Sequence, residues 1–235
     1  MHRSYNVAMI IEATDADPLS PLAVLISGGL DSAVLLGESL GRHPIVHPVY
    51  ICTGSTWETI EQMYLRRFLE SIASPNLGKL VLLTQPVNDL YGAHWSMTGT
   101  LVPNAHSPDE AVYLPGRNIL LLAKSLLWCH LNDVPQIALA PLAANPFPDA
   151  TIEFFNEFAR VVNRAVNGAT RVVAPFLRLS KVDVIRRGRG LPLEHTFSCM
   201  SPAAGIHCGA CNKCAERQRA FADAGVADPT AYRSE

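Results

Sequence analysis

Residues 22–40 read LAVLISGGLDSAVLLGESL. The run Leu22-Ala23-Val24-Leu25-Ile26 is apolar throughout, follows Pro21 and stops at Ser27-Gly28-Gly29, which predicts a short buried strand. After the glycines, Ala33, Val34, Leu36 and Leu40 recur at the spacing of one helix face, so the stretch is a strand, a tight turn and a helix. The alternation continues outward. Further strands are expected over 45–51, 79–84, 136–140 and 171–176, and helices over 57–73, 117–131 and 151–167. Strands separated by helices point to a parallel sheet covered on both faces, an α/β fold. Pro48 has no amide donor, which predicts an edge or a strand end at that point. Gly92, Gly99, Pro103, Pro108 and Pro115 break the rhythm over 91–116, and a loop of that length in a compact domain is functional or mobile.

Composition narrows the class. Hydrophobic residues make up 49% of the chain and charged ones 17%, enough apolar surface to exclude disorder as the dominant state. The longest apolar runs fall far short of the roughly 20 residues that span a bilayer. The first residues, MHRSYNVAMIIEATDADPLSP, carry acids directly after a five-residue apolar run and do not read as a secretory or transit segment, so cytoplasmic residence is expected. With 19 basic and 21 acidic residues the net charge is −2, which gives no electrostatic reason for a nucleic-acid partner.

The turn Ser27-Gly28-Gly29-Leu30-Asp31-Ser32 has the chemistry of an anion cradle. Two glycines let several backbone N–H groups converge, the helix N-terminus adds partial positive charge, and two serines add donors. Asp31 suits a phosphate that arrives with Mg²⁺. A plain strand–turn–helix junction with a Ser or Asp cap is the simpler alternative. No Gly-Lys-Ser/Thr follows, so this is not a Walker A loop, and the spacing of a dinucleotide fingerprint is absent. The hexapeptide in its strand–helix setting resembles the SGGxDS pyrophosphate loop of ATP pyrophosphatases. Those enzymes adenylate a substrate and then let a nucleophile displace AMP.

Four of the six cysteines, Cys199, Cys208, Cys211 and Cys214, form a Cys-x8-Cys-x2-Cys-x2-Cys pattern. Four thiolates at such spacing suit tetrahedral, structural Zn²⁺ with every position filled. Disulfides, a redox pair and an iron–sulfur cluster are the competing readings. His207 sits next to the cluster as a further potential ligand, and Arg217 and Arg219 on the following helix read as solvated surface residues. Cys52 and Cys129 stand alone in apolar surroundings and read as buried small hydrophobes.

Taken together, the loop, Leu114-Pro115-Gly116-Arg117-Asn118, Leu179-Ser180-Lys181 before Val182-Asp183-Val184-Ile185, and Thr196-Phe197-Ser198-Cys199 with the cysteine tail resemble the 7-cyano-7-deazaguanine synthase (QueC) family. The resemblance spans residues 22–232. It implies a Rossmann-like HUP sheet with a zinc-bearing C-terminal extension, divided as a lead-in over 1–21, an ATP pyrophosphatase domain over 22–190 and the extension over 191–235. It also implies a homodimer and an ATP-dependent ligase that joins 7-carboxy-7-deazaguanine with ammonia, with ATP, Mg²⁺ and structural Zn²⁺ as cofactors. Carried onto this chain, Ser27, Gly28, Gly29, Leu30, Asp31 and Ser32 hold ATP and pyrophosphate. Asp31, Lys181 and Arg117 are the catalytic candidates. Arg117, Asn118, Phe147, Asp149 and Glu153 are the substrate candidates, and the four clustered cysteines bind metal.

Two segments depart from the family pattern. A Tyr-Gly-Gln-Arg/Lys-His type segment is replaced by Tyr50-Ile51-Cys52-Thr53-Gly54-Ser55-Thr56-Trp57-Glu58. Within Asn145-Pro146-Phe147-Pro148-Asp149-Ala150-Thr151-Ile152-Glu153-Phe154, Ala150-Thr151 stands where the family has Cys-Arg. Alternatives are therefore a related ATP pyrophosphatase with another acid or amine acceptor (a protein, a small molecule or a tRNA to be thiolated), or an idle zinc-stabilised scaffold.

Overall fold

The computed structural model describes residues 16–233. Most of the lead-in expected over 1–21, with its targeting reading, lies outside the described residues. Five strands form one all-parallel sheet in the order β3-β2-β1-β4-β5: β1 (Leu22–Leu25), β2 (Val46–Cys52), β3 (Val81–Thr84), β4 (Gln136–Ala138) and β5 (Arg171–Val173). The helices are α1 (Leu30–Leu40), α2 (Glu58–Ser71), the single turns α3 (Asn88–Tyr91) and α4 (Trp95–Thr98), α5 (Arg117–Leu131), α6 (Ile152–Val166), α7 (Lys181–Arg187) and α8 (Asn212–Ala224).

The alternation of β1 divides the core. Leu22, Val24 and Ile26 pack with α1, α2, α7 and α8 on one face, while Ala23 and Leu25 pack with α5 and α6 on the other. Each fully buried Leu, Ile or Val contributes about 1.5–3 kcal/mol, so the two faces hold the sheet through many such residues. Ala220, Phe221 and Ala224 of α8 belong to the first of these cores, which ties the C-terminal region to the sheet. Among the described residues no helix is long and apolar enough to cross a membrane.

Pro48 corrects the expectation of an edge or a strand end. It lies in the middle of β2, an inner strand, opposite Val24 of β1. The reason is local. Val46 donates to Asn76 O at 2.8 Å and accepts from Gly78 N–H at 2.8 Å, so the backbone of alternate residues 46 and 48 faces the β3 side. The ladder with β3 begins only at Val49↔Val81, and the missing donor falls where no β3 partner waits.

Segment 91–116 is ordered by contacts with the cysteine region. Asn212 N–H donates to Pro103 O at 2.9 Å, Ala105 N–H to Ala210 O at 2.9 Å, and Asn212 Nδ2 to Ser107 O at 2.9 Å.

Candidate active site and cysteine cluster

A cavity of about 420 Å³ opens at the C-terminal ends of β1, β2 and β4, beside the point where the strand order turns from β1 to β4. Crevices at that switch point are where open parallel sheets bind ligands. The volume suits a small molecule.

The glycine loop forms one wall. Gly29 is the N-cap of α1, and Gly28 has φ +73°, a left-handed value that favours glycine. A Cβ on Gly28 would stand 3.1 Å from Glu61 Cγ, so a side chain there would also have to push Glu61 of α2 aside by a few tenths of an ångström. The serines brace the turn: Ser27 N–H donates to Ser32 Oγ at 3.2 Å, and Ser32 Oγ donates to Gly29 O at 3.2 Å. Ser27, Gly29, Leu30, Asp31 and Ser32 all line the cavity, and Gly28 is not among the lining residues.

Lys181 is the first residue of α7, fixed there by a capping box between Ser180 and Asp183. Its Nζ donates to Asp31 Oδ2 at 2.6 Å and lies 3.4 Å from Glu216 Oε1. Burial works against its charge, but the carboxylates of Asp31 and Glu216 outweigh burial and raise its pKa. Lys213 approaches the other oxygen of Glu216 at 2.6 Å. Those four charged side chains join the loop to α8, and all of them line the cavity. Asp31 Oδ1 is buried with no hydrogen-bond partner.

Arg117 and Asn118 open α5 after Gly116, whose φ of 70° is left-handed. Arg117 lines the cavity. Asn118 and Asp149 are brought together and bond each other: Asn118 N–H donates to Asp149 Oδ2 and its Nδ2 to Asp149 O, both at 2.9 Å. Phe147 lies in the wall, stacked on Tyr113 with centroids 5.1 Å apart. Glu153 is exposed in the first turn of α6 and is not among the lining residues. Thr151, in the segment that departs from the family, caps α6 by accepting from Phe154 N–H at 3.2 Å.

Several lining residues escaped the sequence reading. Trp57 stacks on Trp95 at 5.7 Å, and Glu61 accepts a hydrogen bond from Tyr50 Oη at 2.5 Å. Glu216 and Lys213 were missed although they flank a recognised cysteine. The replaced segment at 50–58 was the available signal, since it contains Tyr50 and Trp57.

The four clustered thiols are free and lie within 4.8 Å of one another. Cys208–Cys214 and Cys199–Cys211 sulfurs are 3.9 Å apart, as four ligands around one tetrahedral ion would be. Backbone N–H groups of Ser201 and Cys208 point at the sulfur of Cys199, and those of Ala210 and Cys211 at Cys208, which favours thiolates. The donor set therefore fits a zinc ion. His207 stays outside it: its Nε2 accepts from Ser198 N–H at 3.1 Å, and burial lowers its pKa to about 3. Phe197 N–H donates to Gly28 O at 2.8 Å, linking the cysteine region directly to the glycine loop.

Arg217 corrects the reading as a surface residue. It is buried, and its guanidinium donates to Thr230 Oγ1 at 2.6 Å, Thr196 Oγ1 at 2.8 Å, Ser198 Oγ at 3.3 Å and Leu193 O at 3.0 Å. Arg219 is exposed as expected.

Comparison with known proteins gives a consistent result. A 7-cyano-7-deazaguanine synthase of Methylococcus capsulatus is 31% identical, covering 92% of this chain and 100% of that protein. Those of Methanothermobacter thermautotrophicus and Thiobacillus denitrificans are 30% and 32% identical, each over 89% of this chain and 97% and 96% of their own lengths. The family model described as queuosine biosynthesis protein QueC matches residues 22–225, and the chain belongs to the QueC family.

Proposed function

We propose that this chain is an ATP-dependent carbon–nitrogen ligase converting 7-carboxy-7-deazaguanine and ammonia to 7-cyano-7-deazaguanine. The observation that carries the reading is the convergence of the glycine loop, Asp31, Lys181 and Arg117 on one aromatic-walled cavity. Membership of a family whose curated relatives bear that enzyme name supports it.

A carboxylate is a poor electrophile, so its oxygen first attacks the α-phosphorus of ATP and pyrophosphate leaves. In this reading the amides of Ser27 to Ser32 and the N-terminus of α1 bind the departing pyrophosphate. Lys181 and Arg117 neutralise the charge that develops at phosphorus. Asp31 Oδ1, buried and unpartnered, fits a ligand for Mg²⁺, which would screen the phosphate oxygens. Ammonia replaces AMP to give the amide. Activation of the amide oxygen by the same chemistry, followed by loss of AMP and both nitrogen-bound protons, leaves the nitrile. Tyr113, Phe147, Trp57 and Trp95 supply flat apolar faces for a deazapurine ring.

Structural zinc on the four cysteines, a homodimer and cytoplasmic residence, where ATP is supplied, complete the proposal. Pyrophosphate release by the zinc-loaded protein, measured with ATP, ammonia and 7-carboxy-7-deazaguanine, tests it. Release that depends on the acid, with the nitrile identified by mass, is expected. No acid-dependent release, or turnover confined to another acid, overturns it.

A further inference from the structure

The acidic side chains of the cavity are not equivalent. Asp31 and Glu216 are paired with lysines, and Asp149 is bonded to Asn118. Glu61 differs from these. Its Oε2 is held by Tyr50 Oη at 2.5 Å, and among the described residues neither an N–H donor nor a lysine or arginine ion pair engages its carboxylate. The backbone fixes where it points. Glu61 N–H donates to Trp57 O at 3.0 Å, one turn earlier, so the indole and the carboxylate share the cavity-facing side of α2. Glu61 Cγ lies 3.1 Å from where a Cβ on Gly28 would stand, which sets Glu61 close against the loop. A carboxylate with a free oxygen beside indole rings is the chemistry that recognises a small organic or ammonium cation.

Resting on the ligase reading, we propose that Glu61 binds the ammonium ion and acts as the general base of the aminolysis step. At neutral pH the nitrogen donor is almost all ammonium, which has no lone pair to attack with. The ionised form of Glu61 takes one proton, giving its carboxylic acid and NH₃. The nitrogen lone pair forms the C–N bond at the acyl carbon, the C–O bond to the phosphate breaks, and AMP leaves with that electron pair. The proton that the nitrogen must still shed passes to water in the cavity, leaving the amide. Burial raises the proton affinity of Glu61 to a pKa of about 8, which the Tyr50 hydrogen bond and the charge of Arg117 offset only in part, while Glu58 on the same helix raises it further. With that value the carboxyl keeps its proton in most molecules at pH 7 and becomes the base as pH rises through about 8, so ammonium-supported turnover should climb over that range while hydroxylamine-supported turnover does not.

The test compares Glu61→Gln and Tyr50→Phe with the unaltered protein in three assays: acid-dependent ATP–pyrophosphate exchange, amide formation with ammonium chloride, and hydroxamate formation with hydroxylamine. Hydroxylamine is largely unprotonated at pH 7 and needs no base to release its lone pair. For Glu61→Gln, ammonium-supported turnover should fall about 100-fold or more, with a much smaller fall in exchange. Hydroxylamine should restore turnover to within about tenfold of the unaltered protein. Tyr50→Phe should show a milder version of the same split, because the carboxylate stays but loses its anchor. Ammonium-supported turnover within about threefold of normal overturns the assignment. So does a parallel loss of exchange, which would place Glu61 with the nucleotide, or a failure of hydroxylamine to rescue. If the unaltered protein gives no acid-dependent exchange, the ligase reading falls first and takes this one with it.

Discussion

Lys181 Nζ donates to Asp31 Oδ2 at 2.6 Å, joining the first turns of α7 and α1 across 150 residues of chain. The bond leaves Asp31 Oδ1 buried and unpartnered, so one oxygen of the carboxylate serves the lysine and the other stays without a partner. Asp31→Ala should abolish pyrophosphate release, a loss of about 100-fold or more, while the circular-dichroism spectrum and zinc content stay unchanged. Lys181 keeps Glu216 as a partner in that variant, which limits the structural damage. Near-normal turnover would show that Asp31 has no part in handling the phosphates.

Glu216 holds Lys181 from the other side and Lys213 as well. It comes from α8, two residues after Cys214, so the cysteine region supplies part of the cavity wall. Glu216→Gln keeps the shape and removes the charge that orients both lysines. The adenylation half-reaction, read as pyrophosphate exchange, should slow by about tenfold through kcat more than through KM for ATP. An unchanged kcat would mean that Lys181 needs only Asp31.

The raised pKa of Glu61 also has a sign in stability. Between the ordinary glutamate value of 4.5 and about 8, the folded protein keeps a proton that the unfolded chain has released. Stability contributed by this group is therefore complete below pH 4.5 and is lost as pH rises through 8. Burial is the main cause of the rise, Tyr50 and Arg117 oppose it, and Glu58 adds to it. Glu61→Gln should be as stable as the unaltered protein near pH 4.5 and more stable at pH 9, by about 1–3 kcal/mol in denaturant melts. Equal stability at both pH values would show that water entering the cavity solvates the carboxylate fully.

The strands and long helices were legible because β1 and α1 follow simple hydrophobic periods, and the loop was legible because glycines at a strand–helix junction have few other uses. Asp31, Lys181 and Arg117 were read from motifs, and the structure brings all three to one cavity. Tyr50, Glu61 and Glu216 were not readable. Each lies on a periodic element where its position looks ordinary, and only tertiary packing turns it inward. Pro48 misled because strand order and the late start of β3 decide whether its missing donor matters, and neither is a local property.

Zinc binding should couple to the glycine loop through Phe197, whose N–H holds Gly28 O at 2.8 Å. Metal analysis should find one zinc per chain without sulfide. Chelation or Cys199→Ser should lower the melting temperature and weaken ATP binding together, since Cys199 lies two residues from that contact. Iron with acid-labile sulfide, and less than one zinc, would overturn the assignment of the metal. Loss of stability with unchanged ATP affinity would break the proposed link to the loop.

Arg217 offers the sharpest separation of stability from chemistry. Its guanidinium serves acceptors on Leu193, Thr196, Ser198 and Thr230, and it packs over the Phe221 ring at 5.3 Å. Burial lowers its pKa, with Asp228 at 4.0 Å the leading opposing charge. Arg217→Ala would leave several buried acceptors without donors and remove the cation beside Asp228, which keeps Tyr232 Oη and Thr230 N–H, at a cost of about 3–5 kcal/mol. Arg217→Lys keeps the charge but loses the planar fork that reaches several acceptors at once, so it should recover only part of that loss. Both variants should retain near-normal kcat per folded molecule, because the guanidinium is not among the groups lining the cavity. A large fall in kcat with the melting temperature unchanged would mean instead that Arg217 acts on the reaction, and that the buried network around it transmits to Ser198 and Cys199 in the cavity wall.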